Sequence, residues 1–177
     1  SQESISVLMN CQKKTAPRSV IRIYSFKNEV SLFNTKTLKK LPGDEHHFSA
    51  ILPDNSYHGS TASYQEMNNE IDFCIKNFPG EIELILKRNA TVMFNVNLDL
   101  ASDQPICNGS QGTIVGFNNH DGLPVVKLNN GRVVDVQHFR YHSKKFPCIY
   151  ITQLPLVLAF AISCHKSQGT AISQAQV

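Results

Sequence analysis

Gln153-Leu154-Pro155-Leu156-Val157-Leu158-Ala159-Phe160-Ala161-Ile162-Ser163-Cys164-His165-Lys166-Ser167-Gln168-Gly169 is the stretch that decides how this chain is read. An apolar run from Leu154 to Ile162, interrupted by one proline, gives way without transition to the polar, small and charged residues His165 to Gly169. Buried backbone therefore delivers a polar turn. The turn offers an imidazole, an ammonium, a hydroxyl, an amide and a glycine that lets a ligand approach the main chain. That inventory suits a phosphate. Taken alone, it equally describes the end of a strand or helix whose Ser, His and Gln satisfy nearby backbone groups.

Two further blocks lie upstream. Lys87-Arg88-Asn89-Ala90-Thr91-Val92-Met93-Phe94-Asn95-Val96-Asn97-Leu98-Asp99 is followed by Cys107-Asn108-Gly109-Ser110-Gln111-Gly112-Thr113-Ile114-Val115. Earlier stand Arg22-Ile23-Tyr24-Ser25-Phe26-Lys27-Asn28-Glu29-Val30, then Asn34 and Leu41-Pro42-Gly43. Together with PLVLAFAISCHKSQG, in this order, the blocks resemble the Pif-one and RecD-type DNA helicases of superfamily 1. The resemblance implies part of a second RecA-like motor domain, an α/β fold, interrupted by a small all-β SH3-like barrel. Residues 1–90 then belong to the motor domain, 91–150 to the barrel, and 151–177 to the return into the motor domain.

The same resemblance implies the site. Ser163 takes the place of a threonine that touches the DNA backbone; His165, Lys166 and Ser167 lie along the strand or the channel wall; Gln168 and Gly169 lie toward the nucleotide. Asn97 and Asn108 match family positions, although Asn108-Gly109 reads equally well as a tight turn. Where the family has a Thr-Asn pair, this chain has Phe26-Lys27, so Lys27 remains as a phosphate contact and Phe26 departs from the pattern. Asn34 matches too, while an asparagine inside a helix also reads as a local hydrogen-bonding residue. The implied activity is that of an ATP-dependent, 5′-3′ DNA helicase with ATP and magnesium in the full-length protein, acting on single-stranded DNA alongside an N-terminal motor domain of the same protein.

None of the nine glycines is followed by lysine, so the chain has no G-x-x-x-x-G-K-[ST] loop to cradle a triphosphate. This chain alone is not expected to hydrolyse ATP. It stops at Val177, before the family's last motif with its arginine finger, and is expected to be a fragment or truncated copy. Composition agrees with a folded domain, since 41% hydrophobic and 18% charged residues exclude a disordered chain. A net charge of +3 permits a nucleic-acid partner without demanding one. Five cysteines without paired spacing argue for reduced thiols and an intracellular setting. No apolar run reaches the ~20 residues of a membrane span, so no membrane is expected.

Periodicity places a strand at Arg18 to Ser25, then a helix whose face is Val30, Phe33, Thr37, Leu38 and Leu41, stopped by Pro42-Gly43. A second helix covers Gln65 to Phe78, with its Met and Phe residues packed in the core. Short strands follow at Glu81 to Leu86, Ala90 to Leu98, Thr113 to Phe117, Leu123 to Leu128 and Arg132 to Val136. Asp121-Gly122 and Asn130-Gly131 predict type I′ hairpin turns with positive φ at both central residues. Arg140 to Phe146, RYHSKKF, reads either as a nucleic-acid patch or as a solvated loop. His46-His47 and the set His138, His142 and Cys148 each fall short of a zinc site's four ligands. Two further readings stand beside the helicase: a free-standing β-barrel interaction module with no motor, and a small enzyme using Cys164-His165, whose adjacency disfavours a nucleophile–base pair.

Overall fold

The structure, a computed structural model, describes residues 21–53, 63–101 and 103–164 together with the backbone of 175–176. Strand β1, Ile21–Tyr24, lies within the predicted β-branched run and buries Ile21. The chain passes through Ser25-Phe26 into helix α1, Lys27–Lys40. Phe26 provides no side-chain cap, but Glu29 in the first turn and Lys39 and Lys40 in the last turn complement the helix dipole. Gly43, at φ +96°, ends the excursion. Phe33 seats α1 on β1: its ring is 5.7 Å from that of Tyr24 and 4.6 Å from the Arg22 guanidinium.

Strand β2, His46–Ser49, pairs antiparallel with β3, Glu83–Leu86, and between them runs helix α2, Tyr64–Lys76. A capping box starts α2, with Ser63 and Glu66 satisfying each other's backbone N–H groups. Met67 and Ile71 are buried against Ile149 as the apolar pattern requires. Phe73, expected in the core, is exposed instead. Two residues beyond Ile71 a side chain points about 200° around the helix, away from the packed face.

Strands β4 (Thr91–Phe94), β5 (Gln111–Phe117), β6 (Pro124–Leu128) and β7 (Val133–Asp135) form an antiparallel meander. Hairpin β8–β9 (Phe139–His142 and Tyr150–Gln153) follows. The tail then splits its apolar run between two sheets. Strand β10, Leu156–Leu158, pairs antiparallel with β4, whereas β11, Ala161–Ser163, pairs parallel with β1; β12, Ala175–Gln176, lies on the other side of β1.

The meander and β10 form an open sheet in the order β10-β4-β5-β6-β7, not the expected closed barrel. Strand β7 has three residues and pairs only with β6 among the described strands. Val134 within it and Val136 just after it enter a core closed by Leu38 of α1 and by Leu84 and Leu86 of β3, so helix and hairpin cover the sheet face that barrel closure would have covered.

The glycine-marked turns are present, but they are not type I′. In the β5–β6 and β6–β7 connections only Gly122 (φ +72°) and Gly131 (φ +90°) take positive φ. The Asn118 and Asn130 side chains instead accept from the backbone two residues on, at 2.9 and 3.0 Å. These connections are longer than two residues, and one left-handed glycine suffices to close each. Gly112 in β5 is required for a different reason: a Cβ there would stand 2.6 Å from the Lys127 carbonyl oxygen on the neighbouring strand. No described helix is long and apolar enough to cross a membrane.

Candidate nucleic-acid interface

Strands β1 and β11 run parallel with Tyr24 opposite Ser163, so their carboxyl ends lie side by side. Helix α1 begins three residues after Tyr24. A cleft of about 480 Å³ opens at this edge. Lys27, Ser31 and Thr35 of α1, with Lys76 and Asn77 at the end of α2, give it polar walls. Leu38, Leu84, Met93 and Ile162 make its floor apolar, and Glu81 and Glu83 lie on the β3 side. The carboxyl edge of parallel strands beside a helix start is where open α/β sheets place their ligands.

Two buried amides hold the tail that reaches this cleft. Gln153, wholly buried, sends its Nε2 to the carbonyls of Phe48 (2.8 Å), Glu81 (3.1 Å) and Ile82 (3.3 Å), while its Oε1 accepts from the Leu154 N–H at 2.8 Å. Asn34 does the same at the other end. Its Nδ2 donates to the carbonyls of Leu158 and Ala161, both at 3.1 Å, and its Oδ1 accepts from the Ala161 N–H at 2.8 Å. The apolar run between them therefore switches sheets without leaving these backbone groups unpaired. Asn34 is not a local hydrogen-bonding residue: its partners lie 124 and 127 positions away. The signal was an asparagine standing in line with Val30 and Leu38 on the helix's apolar face.

The structure brings Lys27 and Ser163 to the same cleft. Lys27 is exposed at its rim, and Ser163 is buried in its wall with 4% of its surface accessible. Asn97 and Asn108 meet elsewhere, in the β4–β5 connection, where the Asn108 N–H donates to Asn97 Oδ1 at 2.7 Å. Gly109 at φ +97° and Ser110, whose Oγ accepts from the Cys107 N–H at 2.9 Å, complete that turn. Arg132 braces it through Asp99 at 3.0 Å and through the Gln104 carbonyl. His165, Lys166, Ser167, Gln168 and Gly169 lie outside the described residues.

Phe78 lines the cleft and meets the Tyr141 ring edge-on at 4.9 Å. Burial pushes the Tyr141 hydroxyl up to about 12, opposed by its 2.7 Å bond to Asn95 Oδ1. His46 stacks on Phe117 with centroids 3.5 Å apart, and His142 Nδ1 contacts the Pro147 carbonyl at 2.7 Å. Among the described residues no three His, Cys, Asp or Glu side chains converge as a metal site requires.

No family model matches the chain. It is 30% identical over 159 residues to the ATP-dependent DNA helicase PIF1 of Xenopus laevis and 35% identical over 159 residues to that of Mus musculus. Both alignments take in 88% of this chain but only 23% and 22% of those proteins, so the chain spans less than a quarter of the relatives' length. The fold superposes on the Pif1 helicase of Candida albicans with a TM-score of 0.69, at 22% identity, over 99% of this chain and 43% of that one. It also superposes on Bacteroides Pif1 in complex with ADP-AlF3 and ssDNA, with a TM-score of 0.66, at 21% identity, over 99% of this chain and 38% of that one.

Proposed function

We propose that this chain, which is homologous to one segment of the Pif1 DNA helicases, works as the C-terminal part of an ATP-dependent helicase, contacting single-stranded DNA and completing the nucleotide cleft. Residues 1–90 and 151–177 are then the portion of the second RecA-like domain, and 91–150 the SH3-like insertion, here built as an open sheet. One observation carries the reading: the ends of β1 and β11 and the start of α1 converge on one cleft, with Lys27 at its rim and Ser163 in its wall.

Lys27 supplies an ammonium to a phosphate at the cleft mouth, and Ser31 and Asn77 supply groups that hydrogen-bond a strand without reading its bases. Because Ser163 is nearly covered, its hydroxyl acts from the cleft wall. The turn His165 to Ser167 continues the contact, and Gln168 and Gly169 face the nucleotide. Asn97 and Asn108 present the braced β4–β5 turn to the strand. The described residues fit neither ATP nor magnesium by themselves: the chain lacks a triphosphate loop, and no acidic cluster among those residues would hold a divalent ion. In this reading both bind in the assembly with an N-terminal motor domain.

Fluorescence anisotropy with a labelled single-stranded oligonucleotide tests this. The isolated chain should bind weakly, with affinity falling steeply as salt rises. Absence of binding even at low salt would sink the reading.

A further inference from the structure

All 14 acidic residues precede position 136, whereas Arg140, Lys144, Lys145 and Lys166 follow it. Three of these four cations sit on the β8–β9 hairpin. Strand alternation and register put Arg140 and His142 on one face, opposite Thr152 and Tyr150. Phe139 and Tyr141 point the other way, and Tyr141 contacts Phe78 and Asn95 there. The outer face is thus fixed by what its inner face packs on.

The hairpin is ordered rather than loose. Ser143, buried, accepts from the N–H groups of Lys145 and Phe146 at 3.0 and 3.1 Å and donates to Glu70 of α2 at 2.6 Å. Arg140 lies over the Tyr150 ring at 4.9 Å and Lys145 over the Phe146 ring at 5.0 Å. Among the described residues the ion pairs are made by His47, Lys87 and Arg132, so Arg140, Lys144 and Lys145 have no carboxylate bonded to them. The nearby acids are engaged first by hydroxyls: Glu70 holds Ser143, and Glu66 is held in the α2 capping box, with the Lys145 charge a lesser influence on it.

We infer that the β8–β9 hairpin is a second nucleic-acid contact, taking the phosphodiester backbone of a single strand on Arg140 of its outer face and on Lys144 and Lys145 of its turn, with Tyr150 beside Arg140 for base stacking. Preordered cations with an adjoining ring and no carboxylate within ion-pair distance are what a sequence-tolerant strand contact requires. This rests on the proposed function above but places the contact on a surface separate from the cleft.

The test compares the wild-type chain, R140Q/K144Q/K145Q and the cleft variant K27Q in anisotropy titrations against one oligonucleotide across a salt series. All three should show matched circular dichroism and thermal unfolding, because the changed side chains are exposed. Loss of three contacts should flatten the slope of log affinity against log salt by about 2, at ~0.7 per contact, and weaken low-salt binding roughly tenfold or more. K27Q should lose no more than one contact's share. A triple variant with wild-type slope and affinity beside a weakened K27Q overturns the inference and leaves the cleft reading standing. A flattened triple variant beside an unchanged K27Q supports the hairpin and counts against Lys27 in the cleft. The hairpin assignment also falls if the triple variant keeps oligonucleotide binding while losing binding to a poly-glutamate peptide or to anionic phospholipid vesicles.

Discussion

The meander β4–β7 and the parallel unit β1–β11–α1 are built on opposite principles, although a single apolar run, Leu154 to Ile162, contributes a strand to both. In the meander, each strand pairs with the next in sequence, and buried Val92, Phe94, Ile114 and Val126 fill one face. In the parallel unit, β1 pairs with strands more than 130 positions away, and one buried amide, Asn34, bonds the helix to the tail. The first arrangement resists change through packing. The second has a smaller apolar cluster, built on Ile21, Met93, Val157, Ala159 and Ile162, and relies also on the bonds of Asn34; it is the one that lines the cleft, where some freedom to adjust to a ligand is useful.

The largest effect should follow from breaking the meander. Gly112→Val drives a side chain into the Lys127 carbonyl and Val126 and should cost on the order of 3 kcal/mol, read as a fall in the denaturant midpoint; an unchanged midpoint would mean that the sheet tolerates a shift there. Asn34→Ala should cost about 2 kcal/mol by leaving the Ala161 N–H and two carbonyls unpaired. Hydrogen exchange should accelerate first in 158–163 and not in β5–β6, which separates the two regions directly. Asn34→Asp, isosteric but without the donor, should lose stability as well.

Tyr141→Phe removes the bond to Asn95, whose Nδ2 already has no partner among the described residues, and should cost about 1.5 kcal/mol. It also changes the alkaline limb. The folded Tyr141 titrates near 12, above an ordinary value of 10, so its contribution is full below pH 10 and is lost as pH rises toward 12. The variant should show less alkaline destabilisation in that window, followed by unfolding at fixed denaturant across the pH range.

Smallest is Ser63→Ala, which removes the α2 cap for about 1 kcal/mol. The bonds from Ser63 hold the Glu66 carboxyl below its usual range. That contribution is present above the ordinary carboxylate value and lost as pH falls through the folded one. The variant should therefore show a flatter loss of stability on acidification.

Local chemistry was readable from residues near in sequence. Pro42-Gly43 marked a helix end, Gly122 and Gly131 marked turns, and β-branched runs marked strands, because a φ preference needs only neighbours a few positions away. Phe73 was misplaced because its sidedness depends on which face of α2 meets Ile149. The barrel was expected to close because the strands and turns resemble one that does, yet closure is decided by what competes for the sheet's open face. Here Leu38, Leu84 and Leu86 occupy it. The cleft was partly legible: Lys27 and Ser163 do share a cleft, while the bracing by Asn34 and Gln153 was not visible, and the polar turn expected after Ile162 lies outside the described residues.

By itself the sequence determined where backbone must be extended, helical or turned, and that an apolar tail would carry polar groups to its end. Tertiary structure alone decided that the tail would divide between an antiparallel and a parallel sheet, and that Asn34 would hold it. Such choices are made by summing burial and hydrogen bonding over contacts more than a hundred residues apart, and no local pattern records which distant backbone group a buried amide will find.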